Sequence, residues 1–122
     1  MALHVDIGDT GIDLSFTGLD QALCLIKHLR LHYGDIERAW VGTWDDVRPA
    51  LGWRVAGGYW PGRFATGHFM VKGRPGARQL WDVYRDRELL VIDTRIERPC
   101  RVVLQHPDRV VLAERIEAGR TS

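Results

Sequence analysis

No run of apolar residues in this chain approaches the eighteen or so that a membrane-spanning helix requires, so no membrane span is expected. The opening "MALHVDIGDT" has neither a basic segment nor a long apolar core, and no secretory signal is expected. Cysteine is scarce. Cys24 and Cys100 stand far apart, and without a secretory signal they read as reduced thiols, which points to a cytoplasmic protein. Lysine is equally rare, Lys27 and Lys72 against fifteen arginines. An excess of either charge is also missing: the formal net charge is +1, so no strong attraction to nucleic acid or to an anionic membrane is built in. Neither a dinucleotide fingerprint nor a P-loop is present, because "GGYWPG" has the wrong spacing, no Gly-Lys-Ser/Thr after it and no helical pattern to follow.

What is present is ordinary globular composition, 45% hydrophobic and 27% charged over 122 residues. That length supports one core. A single domain over residues 1–122 is expected, with its ordered part from about residue 4 to residue 118. In "LHVDIGDTGIDLSF" the apolar residues Val5, Ile7, Ile12, Leu14 and Phe16 alternate with polar ones on both sides of "GDTG", which predicts a hairpin. The period then changes. Leu19, Ala22, Leu23, Ile26 and Leu29 fall at helical spacing, Thr17 or Gly18 can cap, and a helix of about three turns is expected.

Alternation returns at "DIERAWVGTW", where Ile36, Ala39 and Val41 oppose Trp40. "RQLWDVYR" and "ELLVIDTRI" read as two strands joined by a polar hairpin turn "RDRE", and "CRVVLQ" as another. In "HPDRVVLAERIEAG", Pro107 suits a first helical turn, Val110, Leu112, Ala113 and Ile116 supply the stripe, and Gly119 can end the helix. This order of short strands and two helices suits a small roll or barrel plugged by a helix.

Between Trp53 and Val71 the chain is punctuated by glycine and rich in aromatics. The structural reading is that the glycines supply positive φ and bulges, with "WPG" a turn. The functional reading is a contact surface of Arg54, Tyr59, Trp60, Arg63, Phe64 and His68, where guanidinium and aromatic faces meet. Single-stranded nucleic acid fits it poorly, since a stacking platform belongs in a strongly basic groove.

Cys24, His28 and His32 would share a helix face opposite the apolar stripe, a geometry with some resemblance to a zinc site. Chance spacing of exposed residues is the better reading, and no metal or other cofactor is assigned. Asp45 and Asp46 read as solvated, Ser15 sits within a strand pattern, and Cys100 reads as a buried small hydrophobe. No nucleophile, base and orienting group can be assembled from spacing, so no catalytic residue is assigned.

The stretches "VDIGDTGIDLSFTGLDQAL", "GWRVAGGYWPGRFATGHF", "LWDVYRDRELLVIDT" and "HPDRVVLAERI" together resemble bacterial pleckstrin-homology-like (PH-like) domain proteins of the small actinobacterial type. The resemblance covers about His4 to Ile116. It implies a mainly β (α+β) fold: a PH-like roll of two near-orthogonal antiparallel sheets, one helix after the second strand and a C-terminal capping helix. It brings no ligand site. Phosphoinositide binders of this fold carry basic residues in the first strand–strand loop, whereas "IGDTG" carries Asp9 beside Asp6 and would repel a phosphorylated head group. The expectation is therefore a non-enzymatic protein-interaction or assembly module, with a protein partner or a homo-oligomer. The alternative is a small-molecule or lipid-binding domain using the mouth of the roll. A metal-dependent enzyme built on Cys24 and His28 is the remote third.

Overall fold

The first hairpin follows the alternation closely. Strands β1 (Leu3–Ile7) and β2 (Gly11–Phe16) pair antiparallel from Leu3 opposite Phe16 to Ile7 opposite Ile12. Their pleat sends Ile12, Leu14 and Phe16 into the core. The computed structural model describes residues 3–24, 26–60 and 63–122. The side chains of Leu19 and Leu23, part of the expected helical stripe, lie outside what is described, as do Pro61 and Gly62 of "WPG".

The three-turn helix is corrected. Helix α1 covers only Gly18–Cys24, and the chain then forms β3 (His28–His32), antiparallel to β2. In "HLRLH", Leu29 and Leu31 turn inward while His28, Arg30 and His32 stay exposed. Leu29 thus satisfies both a helical and an alternating pattern, and pairing with the free edge of β2 decides between them.

The second sheet is built from β4 (Ile36–Thr43), β5 (Leu51–Trp60), β6 (Phe64–Val71), β7 (Arg74–Val83), β8 (Glu88–Thr94) and β9 (Arg101–Leu104). Its strand order is β4-β8-β9-β7-β6-β5. The single-turn helix α2 (Trp44–Val47) follows β4, opened by a capping box in which Asp46 accepts from the Thr43 N–H.

Two expectations about this sheet are corrected. "RDRE" is not a hairpin turn, because β9 lies between β7 and β8; and β9 runs parallel to β7, so this sheet is mixed rather than wholly antiparallel. The physical reason is the sequence of β9. Val102, Val103 and Leu104 are all fully buried, on both faces, which only an interior strand provides. The connection is held by Gln105, whose side-chain oxygen accepts the N–H groups of Tyr84, Arg85 and Asp86 at 2.9, 2.7 and 2.9 Å.

The pleat of the large sheet then defines two cores. On one face Ala39, Ile92, Val102 and Leu80 stand in one row, packed with Ile12, Leu14, Phe16 and Leu31 of the small sheet. The C-terminal helix α3 (Arg109–Arg120) adds Leu112, Ala113 and Ile116 to that core. On the other face Trp81, Phe69, Val91 and Val103 pack with Val47 and the partly buried Trp44 and Tyr59. Ring centroids lie 5.4 Å apart for Trp44–Trp81, 5.7 Å for Tyr59–Phe69 and 6.3 Å for Phe69–Trp81. The fold is mainly β, two sheets and a C-terminal helix.

Helix α3 differs from expectation in detail. Pro107 precedes it, Val110 is 53% exposed and outside the core, and Gly119 lies within it. Gly119 is there for space: a side chain at that position would collide with the Tyr33 ring.

Candidate functional site

The glycine-rich segment is a long two-stranded arm. β5 and β6 pair antiparallel, and β5 is the outer strand of its sheet. The structural reading of its glycines holds at Gly57 and Gly67. These stand opposite each other with φ of +112° and +115°, a region open to glycine and strained for other residues. Their backbones approach so closely that a Cβ on either would strike the carbonyl oxygen of Thr66 or Ala56. The register also shifts between Leu51 and Arg54 and again between Arg54 and Ala56. Bulges of this kind re-aim the side chains around them.

That re-aiming divides the six predicted contact residues. Tyr59 points into the core against Phe69. Trp60 is paired with Phe64 near the arm's tip and is 58% exposed, while the Phe64 ring is half-buried and lies over Gly58. Arg54 and Arg63 are exposed. His68 faces the small sheet, in a groove of about 310 Å³ shared with Ile26, Leu29, Val55, Leu80 and Pro99. Sequence reasoning left out two neighbours that the strand exposes more fully, Trp53 at 83% and Val55 at 52%. Neither Arg54 nor Arg63 stacks on an aromatic ring among the described residues.

Arginine does stack on an aromatic ring, but elsewhere. The Arg38 guanidinium lies 4.3 Å from the Trp40 ring centre and that of Arg101 lies 5.9 Å away. Asp93 joins them. Its Oδ2 accepts from Arg38 Nε at 3.1 Å and Trp40 Nε1 at 2.8 Å, and its Oδ1 from Arg101 Nε at 2.6 Å. Burial alone would push the Asp93 carboxyl up, but the hydrogen bonds from Arg101, Trp40 and Arg38 and the Arg101 charge hold it below its ordinary value. Alternation places Arg38 and Trp40 on one face of β4 and was the available signal. The union with β8 and β9 was not visible, because β4 is far from both in sequence.

The shared helix face of Cys24, His28 and His32 is corrected. His28 and His32 are exposed on β3, whereas Cys24 is fully buried in α1 and its thiol donates to the Trp81 carbonyl at 3.5 Å. Among the described residues no three His, Cys, Asp or Glu side chains converge for a metal. Both cysteines are free thiols, pushed up chiefly by burial. His28 pairs with Asp13 at 2.9 Å, and Arg30 holds the other oxygen of the same carboxylate. No helix among the described residues is long and apolar enough to cross a membrane. No family model, curated protein or solved structure matches the chain.

Proposed function

We propose that this chain is a non-enzymatic PH-like roll that serves as a protein-interaction or assembly module, and that it assembles with a second copy of itself through β5. The carrying observation is the open edge: β5 is ten residues long, pairs among the described residues with β6 alone, and displays Trp53, Val55 and Trp60 to solvent. An edge strand offers unpaired backbone N–H and C=O groups, and proteins that remain single blunt such an edge with charge. β5 carries one charged residue, Arg54. Antiparallel addition of an identical strand closes as a two-fold dimer and covers the exposed tryptophans.

Native mass spectrometry at two ionic strengths tests the proposal. A dimer that persists in salt, and that Val55→Lys and Trp60→Ala convert to monomer, is the expected result. A monomer at every concentration, with no co-purifying protein, overturns it.

A second reading has its own observation. The groove holding His68 is lined mainly by apolar side chains, with Arg78 and Arg98 also on its wall, which suits a small amphipathic anion at the mouth of the roll. A monomer carrying a bound small molecule, displaced in His68→Trp, would favour it over assembly.

A further inference from the structure

On the face of the large sheet away from the small one, Arg38, Asp93, Arg101 and Gln79 stand in one row across β4, β8, β9 and β7. A recess of about 340 Å³ opens beside this row, and Arg74 and Cys100 also line it. Its donors are unevenly engaged. Asp93 spends both oxygens on Arg38, Arg101 and Trp40. Gln79 is likewise occupied: its amide donates to the carbonyls of Ala50 and Met70, and its oxygen accepts from Trp81.

The arginines are not. Arg38 and Arg101 use only Nε, and the terminal nitrogens of both make no hydrogen bond to a described residue; Arg74 makes none with any of its nitrogens. Arg74, Arg101 and Cys100 line the same recess, and the charges of the two arginines pull the Cys100 thiol down against the burial that pushes it up. Glu37 is the one other carboxylate on the lining, and its field also acts on Arg120.

The arrangement is preorganised. A Cβ on Gly42 would lie 2.5 Å from Trp40, so the indole lies along its own strand over that glycine. Asp93 holds Arg38 and Arg101 by their Nε atoms and Trp40 packs against Arg38, so two guanidiniums on the recess lining are already restrained before anything binds.

We propose that this recess binds a phosphate-bearing small molecule, its oxyanion held by the terminal nitrogens of Arg38, Arg74 and Arg101. Guanidinium forks match phosphate oxygens in pairs, and charge-assisted bonds of this kind are the strong ones. The volume accommodates more than one phosphate group, with Val71 and Ala50 as an apolar wall for the remainder. The site adjoins the start of β5 through Ala50 and Val71, and its readout, bound anion per chain, is distinct from the oligomeric state that tests assembly.

Calorimetric titration of the full chain with inorganic pyrophosphate at low ionic strength is the experiment, with citrate as the carboxylate counterpart. One saturable site per chain is expected, tighter for pyrophosphate than for citrate and weakening with salt. Arg74→Ala should weaken it about tenfold or more. Arg74 is exposed and makes no hydrogen bond to a described residue, so this variant should melt like the parent; Arg115→Ala, on the exposed side of α3, should bind unchanged. Arg101→Gln gives a second reading of the same site. No saturable heat, equal affinity in Arg74→Ala and the parent, or preference for citrate would overturn the proposal.

Discussion

Asp82 faces Thr66 directly across the β6–β7 ladder, both are buried, and neither Asp82 Oδ1 nor Thr66 Oγ1 has a hydrogen-bond partner among the described residues. Beneath α1 the same carboxyl meets Asp20, also buried, close enough for the two to hydrogen-bond once one is protonated, and the Cys24 thiol lies beside them. Burial, then the charge of Asp20, pushes Asp82 up to about 7.

A pH dependence follows from that pair. Between the ordinary carboxyl value of 3.8 and about 7, the folded chain keeps a proton on Asp82 that the unfolded chain has released. Stability contributed by the pair is therefore present at low pH and falls as pH rises through that window. His106, pushed down mainly by burial, acts in the opposite direction, because acid protonates it more readily in the unfolded chain. Melting temperature measured from pH 5 to pH 8 in the parent and in Asp82→Asn separates the two. The difference between the curves should change in favour of Asp82→Asn as pH rises, and parallel curves would refute the assignment.

The glycine pair in the β5–β6 arm predicts a backbone effect without any loss of contacts. Gly67→Ala puts a side chain at φ +115° and against the Ala56 carbonyl, and Gly57→Ala puts one at φ +112° and against the Thr66 carbonyl. Strain of that kind costs roughly 1–3 kcal/mol before the collision is counted. Urea denaturation should show a loss of at least about 2 kcal/mol for either variant, with an unchanged slope. In contrast, Gly73→Asn is expected to be mild: its φ is +82°, but nothing lies within reach of an added Cβ.

These glycines mark what was legible in the sequence. Local patterns were readable: the hairpin from Leu3 to Phe16, the α3 stripe of Leu112, Ala113 and Ile116, and the structural use of glycine in the arm. Long-range pairings were not. Nothing in "RDRE" reveals that Val102 to Leu104 will enter between the strands it joins, because that choice depends on burial on both faces of a later segment. The candidate surface was legible as composition only. Which of Tyr59, Trp60 and His68 turns inward depends on two register shifts in β5, and these follow from the glycine backbone rather than from hydrophobic period.

The two edges of the large sheet differ, and that contrast supplies the last prediction. At β4, the Glu117 carboxylate of α3 accepts the Ala39 N–H at 2.7 Å, while Arg120 holds the same carboxylate at 2.6 and 2.9 Å. Arg120 and the Ala39 N–H, against a smaller cost of burial, keep the Glu117 carboxyl below its ordinary value. α3 thus covers the β4 edge and spends one of its backbone donors, whereas β5 retains both its free backbone and its tryptophans. Glu117→Ala should leave the Ala39 N–H without its acceptor and cost about 1–3 kcal/mol. Hydrogen exchange should then speed up selectively at Ala39, with the β7 and β9 amides unchanged. Uniform acceleration across the sheet would mean that α3 stabilises the fold through Leu112, Ala113 and Ile116 alone, and that the carboxylate does not guard this edge.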